Sequence, residues 1–314
     1  DFMENAIYDW LMQGDPALCY LVKNDLLNQD DQELHLKMLQ EGWIKTLLAH
    51  QNENGHWGDG FYRPKWICSH YTLLILKYFQ IPQSIDSIRD LLSQNLDRIK
   101  AMDGGINFWG KIKNSDACVN GMFLNYASYF LPEPDKLDFL IDYMIKAQMP
   151  DKGWNCQYKR GAVHSSFHTT LSILEGLAEY KKAGGNYKLD KISEMEHDAR
   201  EFLLQHHLYQ SHRTGLPADS KMMLLSFPHH WHYDLLRSLE YFADQHIPYD
   251  QRMKPAIDLL ISKRNADYNW NLQNRYSGRM FFQFEKTGKP SRIVTYKALK
   301  ILRLYTKDST IYSL

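Results

Sequence analysis

The chain has 314 residues, with 37 basic and 37 acidic side chains and a formal net charge of zero, which argues against a nucleic-acid partner held by bulk charge. Mean hydropathy is -0.50, and no apolar run reaches the roughly 18 residues of a membrane span. Asp1 to Gln13 lacks the basic flank and apolar centre of a secretion signal. Four cysteines (Cys19, Cys68, Cys118 and Cys156) are too few for a disulfide framework in a chain this long, so a cytoplasmic protein with free thiols is expected.

In chain order, a first helix pair is predicted at about 3–13 and 17–27. Gln32 to His50 follows as an amphipathic helix, with Leu34, Leu36, Leu39, Trp43, Leu47 and Leu48 at helical spacing. The segment after Gln51 then sets a pattern that recurs near Asp103, Gln148, Ser211 and Lys263. Each copy has a polar turn with glycine or tryptophan, a loop, and a polar start to an apolar helix. The apolar helices begin near His70, Cys118, His168, His232 and Thr295, roughly 48, 50, 64 and 63 residues apart, spacings that indicate a repeat architecture. Leu137 to Gln148 and Ile192 to Gln205 are further outer helices, and the last pair falls at about 250–264 and 292–306. Strand signals are almost absent. The expectation is a single all-α domain over 1–314, an (α/α)6 toroid of six inner and six outer helices. The N-terminal ends of the inner helices, with their partial positive charge, line the expected mouth of a central cavity.

Two segments, Gln51-Asn-Glu-Asn-Gly55-His-Trp57 and Gln148-Met-Pro-Asp-Lys-Gly153-Trp154, are similar to the glutamine–tryptophan motif of the prenyltransferase and terpene-cyclase superfamily. There the motif ties adjacent repeats together. A second resemblance lies within the ring. Protein prenyltransferases hold a catalytic zinc with an Asp-x-Cys pair and a later histidine, and Asp116-Ala117-Cys118 and Phe167-His168-Thr169 look like that set. The resemblance implies zinc on Asp116, Cys118 and His168, three ligands with an open fourth position. Lys113 stands where the family's diphosphate-binding lysine stands. Val119 replaces the family's aromatic residue after the cysteine, and Gly110 stands near the place of its arginine. For the cyclase branch, Asn28-Gln-Asp30-Asp31 lacks the first aspartate of the Asp-x-Asp-Asp acid, and no Asp-Asp-x-x-Asp string is present.

His70 and His232 occupy ring positions equivalent to Cys118 and His168 and are candidate acid–base groups. Arg160 and Arg292 are candidate anion contacts, and Trp66 and Trp109 candidate walls for an apolar substrate whose cations their π faces would stabilise. The long segment Asn274 to Arg292 is a candidate functional loop. The leading expectation is a zinc-dependent enzyme of prenyltransferase-like fold. It would act on a small isoprenoid or other apolar substrate, possibly a diphosphate, with a homo-oligomer or a partner subunit as possible assemblies. The alternatives are a metal-free terpene-cyclase-like or carbohydrate-active toroid enzyme, which requires carboxylates in the cavity, and a non-catalytic binding scaffold.

Overall fold

A computed structural model describes residues 2–109 and 114–306. Thirteen α-helices are found among them. They are α1 (Phe2–Met12), α2 (Pro16–Leu21, continued by a π-helical turn Val22–Leu26), α3 (Gln32–Lys37), α4 (Gly42–Ala49), α5 (Ser69–Tyr78), α6 (Asp86–Asn95), α7 (Ala117–Phe130), α8 (Asp138–Ala147), α9 (Phe167–Lys182), α10 (Leu189–Gln205), α11 (Leu235–Asp244), α12 (Lys254–Ser262) and α13 (Arg292–Tyr305). A two-residue antiparallel ladder joins Trp270–Asn271 to Pro290–Ser291.

Six inner helices, α2, α5, α7, α9, α11 and α13, alternate with outer helices in an (α/α)6 toroid. Ala117, Val119 to Ser128 and Phe130 of α7 are buried, as are nine of the ten residues of α11. A helix surrounded on all sides has no face to leave polar. The outer helices keep a wet face, as in α6, where Ile88, Leu91 and Leu92 are buried.

The ring closes through side chains. Arg292 at the start of α13 donates to the Trp10 carbonyl at 2.7 Å. Arg303 donates to the carbonyls of Leu26 and Asp25 at 2.6 and 2.9 Å. The Tyr296 hydroxyl donates to Asp25. The first and last repeats are thus held as neighbours.

Adjacent repeats are stapled as the glutamine–tryptophan resemblance implies. The Trp57 indole donates to the Leu47 carbonyl at 2.7 Å and the Trp154 indole to Met144 at 2.9 Å. Their backbone N–H groups meet the Ser69 and Thr170 hydroxyls at the inner-helix starts, at 2.9 and 3.1 Å. Gln51 donates to the Gly55 carbonyl and accepts from Ser87 of α6, both at 2.8 Å. A third staple, without the glutamine motif, is Trp270, whose indole donates to Leu260 and whose N–H meets Thr295, at 2.7 and 3.0 Å.

One predicted element is divided. The helix expected over Gln32 to His50 stops at Lys37 and restarts at Gly42, whose φ is +82°. The Asp15 carboxylate causes the break by accepting from Trp43 N at 2.8 Å while capping α2 at Ala17 N. A Cβ at position 42 would lie 2.1 Å from Asp15 Oδ2.

Helices α7 and α9 approach through Gly121 and Gly176, each lying against the other helix's backbone. A Cβ on Gly121 would come within 2.7 Å of Ile173 N and the Ser172 carbonyl carbon. Neither contact is a flexible side-chain tip, so Gly121→Ala is expected to destabilise the chain by about 1–3 kcal/mol or more, measured as a lowered urea midpoint with the helical circular dichroism retained.

Candidate functional site

The loops leading into the inner helices meet at one end of the ring and bring several expected residues together. Trp66 stacks on His230 with ring centres 3.9 Å apart, and its edge meets Tyr71 and His232. His232 lies between Tyr276 at 3.5 Å and Trp231 at 3.7 Å. His168, in the first turn of α9, meets Trp231 edge-on at 5.1 Å and His232 at 6.3 Å. His70 is fully buried, shares a 2.8 Å hydrogen bond with the Tyr126 hydroxyl, and faces Tyr62 and Phe108. His70, His168, His232 and Trp66 therefore share one aromatic cluster. The long loop from Asn274 to Arg292 serves it, since Ser277 O accepts from the Trp66 indole at 2.9 Å and Gly278 lies against that ring.

Burial decides the protonation of this cluster. Desolvation drives His70 down to about 3, with Lys65 adding repulsion. It drives His168 and His232 to about 4, helped by Arg237 and by one imidazole beside the other. His230 is also pushed well below the ordinary range, chiefly by burial. The imidazoles are neutral at pH 7.

The other sequence candidates are scattered. Asp116 is exposed at the N-cap of α7 with no side-chain capping bond. Cys118 is not a free thiol; it pairs with Cys156 as a disulfide, their Cα atoms 5.9 Å apart, while Cys19 and Cys68 are free and buried. His168 Nδ1 is occupied as the acceptor of Tyr233 N–H at 2.7 Å. Among the described residues no three His, Cys, Asp or Glu side chains form a group able to hold a metal. Asp116, Cys118 and His168 are not gathered into such a group, and the Cys118 sulfur meets that of Cys156. Trp109 is 59% exposed, with the Arg63 guanidinium 4.8 Å above its ring. Arg160 reaches Gln157 at the surface, and Arg292 is taken up by α1 and stacks on Trp10. Lys113 lies outside the described residues.

A cavity of about 860 Å³ lies at the other end, between the C-terminal halves of the inner helices. At the helix N-termini, where the sequence pattern places a mouth, the described loop aromatics pack against one another. The cavity wall is ionic. Arg237 of α11 pairs with Glu175 of α9, and Lys77 of α5 with Glu179 at 3.2 Å. Glu240 takes Lys297 and Lys300 of α13 at 3.1 and 2.9 Å, and Lys300 also reaches Asp244 at 2.9 Å. The Tyr78 hydroxyl crosses the ring to donate to Glu240 at 2.9 Å, and the Lys297 ammonium lies 4.7 Å from the Tyr78 ring.

These contacts separate two carboxylates one helical turn apart on α11. Burial pushes Glu240 up, but Lys297 and Lys300 outweigh it and hold it at about 2. Asp244 is raised by desolvation and by repulsion from Glu240 and Asp25 against the pull of Lys300, and because its side chain is 46% exposed the repulsion is the firmer cause. None of these residues was a sequence candidate. A usable signal was the charge pattern inside apolar inner helices, namely Glu175 and Glu179 in α9, Glu240 and Asp244 in α11, and Lys297 and Lys300 in α13.

No family model matches this chain, and no curated protein matches it. Among solved structures it is similar to the type II terpene cyclase MstE from Scytonema. A variant of that enzyme in complex with merosterolic acid A as product is 14% identical, with 96% of this chain and 95% of that chain covered and a TM-score of 0.47. Another, in complex with geranylgeranyl dihydroxybenzoate as substrate, is 15% identical over the same shares, with a TM-score of 0.46. Among the described residues no helix is long and apolar enough to cross a membrane.

Histidines kept neutral by burial make the fold sensitive to acid. In the unfolded chain they protonate near pH 6.5, whereas folded His70 does so only near 3. Between these values the unfolded state binds more protons, so stability falls as pH is lowered through 6.5. His70 alone contributes a slope of about 1.4 kcal/mol per pH unit in that window. Thermal unfolding between pH 7 and 4.5 is expected to show a falling Tm, with a shallower fall in His70→Gln.

Proposed function

We propose that this chain is a metal-independent enzyme whose chemistry takes place in the central cavity by proton transfer between carboxylates and a bound small molecule. The observation that carries this is the divided pair on α11, with Glu240 held ionised by two lysines and Asp244 raised beside it. Titratable groups whose environments drive their pKa values apart are the usual basis of acid and base roles in one site. The i,i+4 spacing puts the two on one helix face, about 5–6 Å apart at Cβ.

In this assignment Asp244, whose side chain is 46% exposed, delivers the proton at the cavity mouth. Glu240 stays anionic, tied to Tyr78 and the lysines, and faces positive charge that develops on the substrate. Tyr78 and Tyr296 remain protonated because burial raises both well above the ordinary range, so they serve as hydrogen-bond donors. No step needs the zinc that the sequence suggested.

The test is turnover of a defined pool of mono- and disaccharides, polyols and prenyl alcohols, followed by mass spectrometry with EDTA present. Asp244→Asn is expected to lower kcat by about 100-fold or more, within the range for a lost general acid, and to abolish the alkaline limb of the pH profile at unchanged Tm. Turnover that requires added zinc, or survives in Asp244→Asn, overturns the proposal.

The aromatic cluster at the opposite end favours a second reading, an isoprenoid held against Trp66, Trp231 and Tyr276, of the kind MstE holds as geranylgeranyl dihydroxybenzoate. The cluster's ring faces, now stacked on His230 and His232, would have to part from them to take an apolar chain and a developing cation. Quenching of tryptophan fluorescence by geranylgeraniol, weakened at least about 10-fold in Trp231→Ala, is the expected result; no quenching removes this reading.

A further inference from the structure

The substrate class follows from how the cavity's charges are already spent, and it rests on the cavity being the working site. Three cations that line the cavity are already paired with carboxylates of the wall. Arg237 faces Glu175, Lys77 faces Glu179, and Lys300 lies between Glu240 and Asp244. An anionic ligand such as a diphosphate would have to break one of these pairs and strand a buried carboxylate. An isoprenoid would cover the same charges with hydrocarbon and return no hydrogen bonds.

What the wall leaves unfilled is neutral hydrogen-bonding capacity. Asn125, in the middle of α7, lines the cavity, is 8% exposed, and its Oδ1 has no hydrogen-bond partner. A buried amide without a partner is rare in a folded chain and points to a group the cavity receives. His229 also lines the cavity. Its Nδ1 donates to the His230 carbonyl at 3.0 Å, which leaves Nε2 as an acceptor, and burial keeps the ring neutral. The hydroxyl-bearing rings Tyr78, Tyr129, Tyr241 and Tyr296 complete the wall. A volume of about 860 Å³ is within the range of small-molecule sites.

We infer that the cavity takes an uncharged, polyhydroxylated small molecule of carbohydrate or polyol type, hydrogen-bonded by Asn125 and His229. Hydroxyl groups both donate and accept, so they satisfy the open amide and imidazole without disturbing the ion pairs.

The experiment is saturation-transfer NMR and calorimetry on the full chain. The probes are maltose, sucrose, methyl β-glucoside and myo-inositol, with sodium diphosphate and geranylgeraniol as ionic and apolar comparators. At least one hydroxylated probe is expected to bind saturably, and to lose affinity at least about 10-fold in Asn125→Leu but not in Val163→Ala, at a surface position 73% exposed. If Asn125→Leu does not fold, His229→Phe is held to the same criterion. The inference is overturned if none of the hydroxylated probes binds, if their binding is indifferent to these variants, or if a comparator binds in a way these variants abolish. Binding without turnover by the wild-type chain keeps the ligand class and removes the catalytic role of Asp244. Turnover of a prenyl alcohol at Asp244 does the reverse.

Discussion

An indole that closes a helix repeat has one N–H and must place it in a dry interior. Trp57, Trp154 and Trp270 each place it on a carbonyl of the preceding outer helix, and each sends its backbone N–H to a hydroxyl at the start of the next inner helix. Removing one of these partners would leave a buried polar group unsatisfied, a penalty of about 1–3 kcal/mol. The staple therefore sets both the height and the direction at which each inner helix enters the ring. The ring closure through Arg292, Arg303 and Tyr296 depends on the inner helices arriving in register, and so does the cavity between them.

The two ends of the ring meet desolvation differently. At the loop-rich end, imidazoles are buried among aromatic rings without carboxylate partners, and they lose their charge. At the other end, charges are kept because they are paired across helices. The Glu240 triad joins α11 to α13, Arg237 joins α11 to α9, and Lys77 joins α5 to α9. Such pairs repay their desolvation only when geometry and extra hydrogen bonds are good, and the Tyr78 hydroxyl on Glu240 supplies one of these. The same pairs give Arg237, Lys77, Lys297 and Lys300 a carboxylate partner within the wall. The cavity's selectivity then falls to neutral donors and acceptors.

The placement of Asp116, Cys118 and His168 shows where motif reasoning stops. The Asp-x-Cys pair does open an inner helix and His168 does begin the next one, as the pattern required. Yet Cys156, in the loop between them, takes the sulfur, and Tyr233 N–H takes the imidazole nitrogen. Spacing along the chain located the helix starts but carried no information about which neighbour occupies each ligand atom. The same limit holds for Arg292, a loop cation by sequence and an anchor for α1 in the fold.

The sequence by itself determined the repeat, the starts of the inner helices and their number, but not the division of Gln32 to His50 at Gly42. Apolar periodicity, glycine turns and glutamine–tryptophan strings are local or repeat at a fixed interval, so they survive without knowledge of contacts. It also marked His70, His168, His232 and Trp66, because polar residues at helix starts stand out against apolar runs. Only the tertiary structure showed a cavity between the C-terminal halves of the inner helices, and which carboxylates there differ in charge. Those depend on Lys297, Lys300 and Glu240 meeting across two helices roughly 60 residues apart in the chain, and on Asn125 finding no partner. Both are facts of three-dimensional neighbourhood that no local pattern encodes.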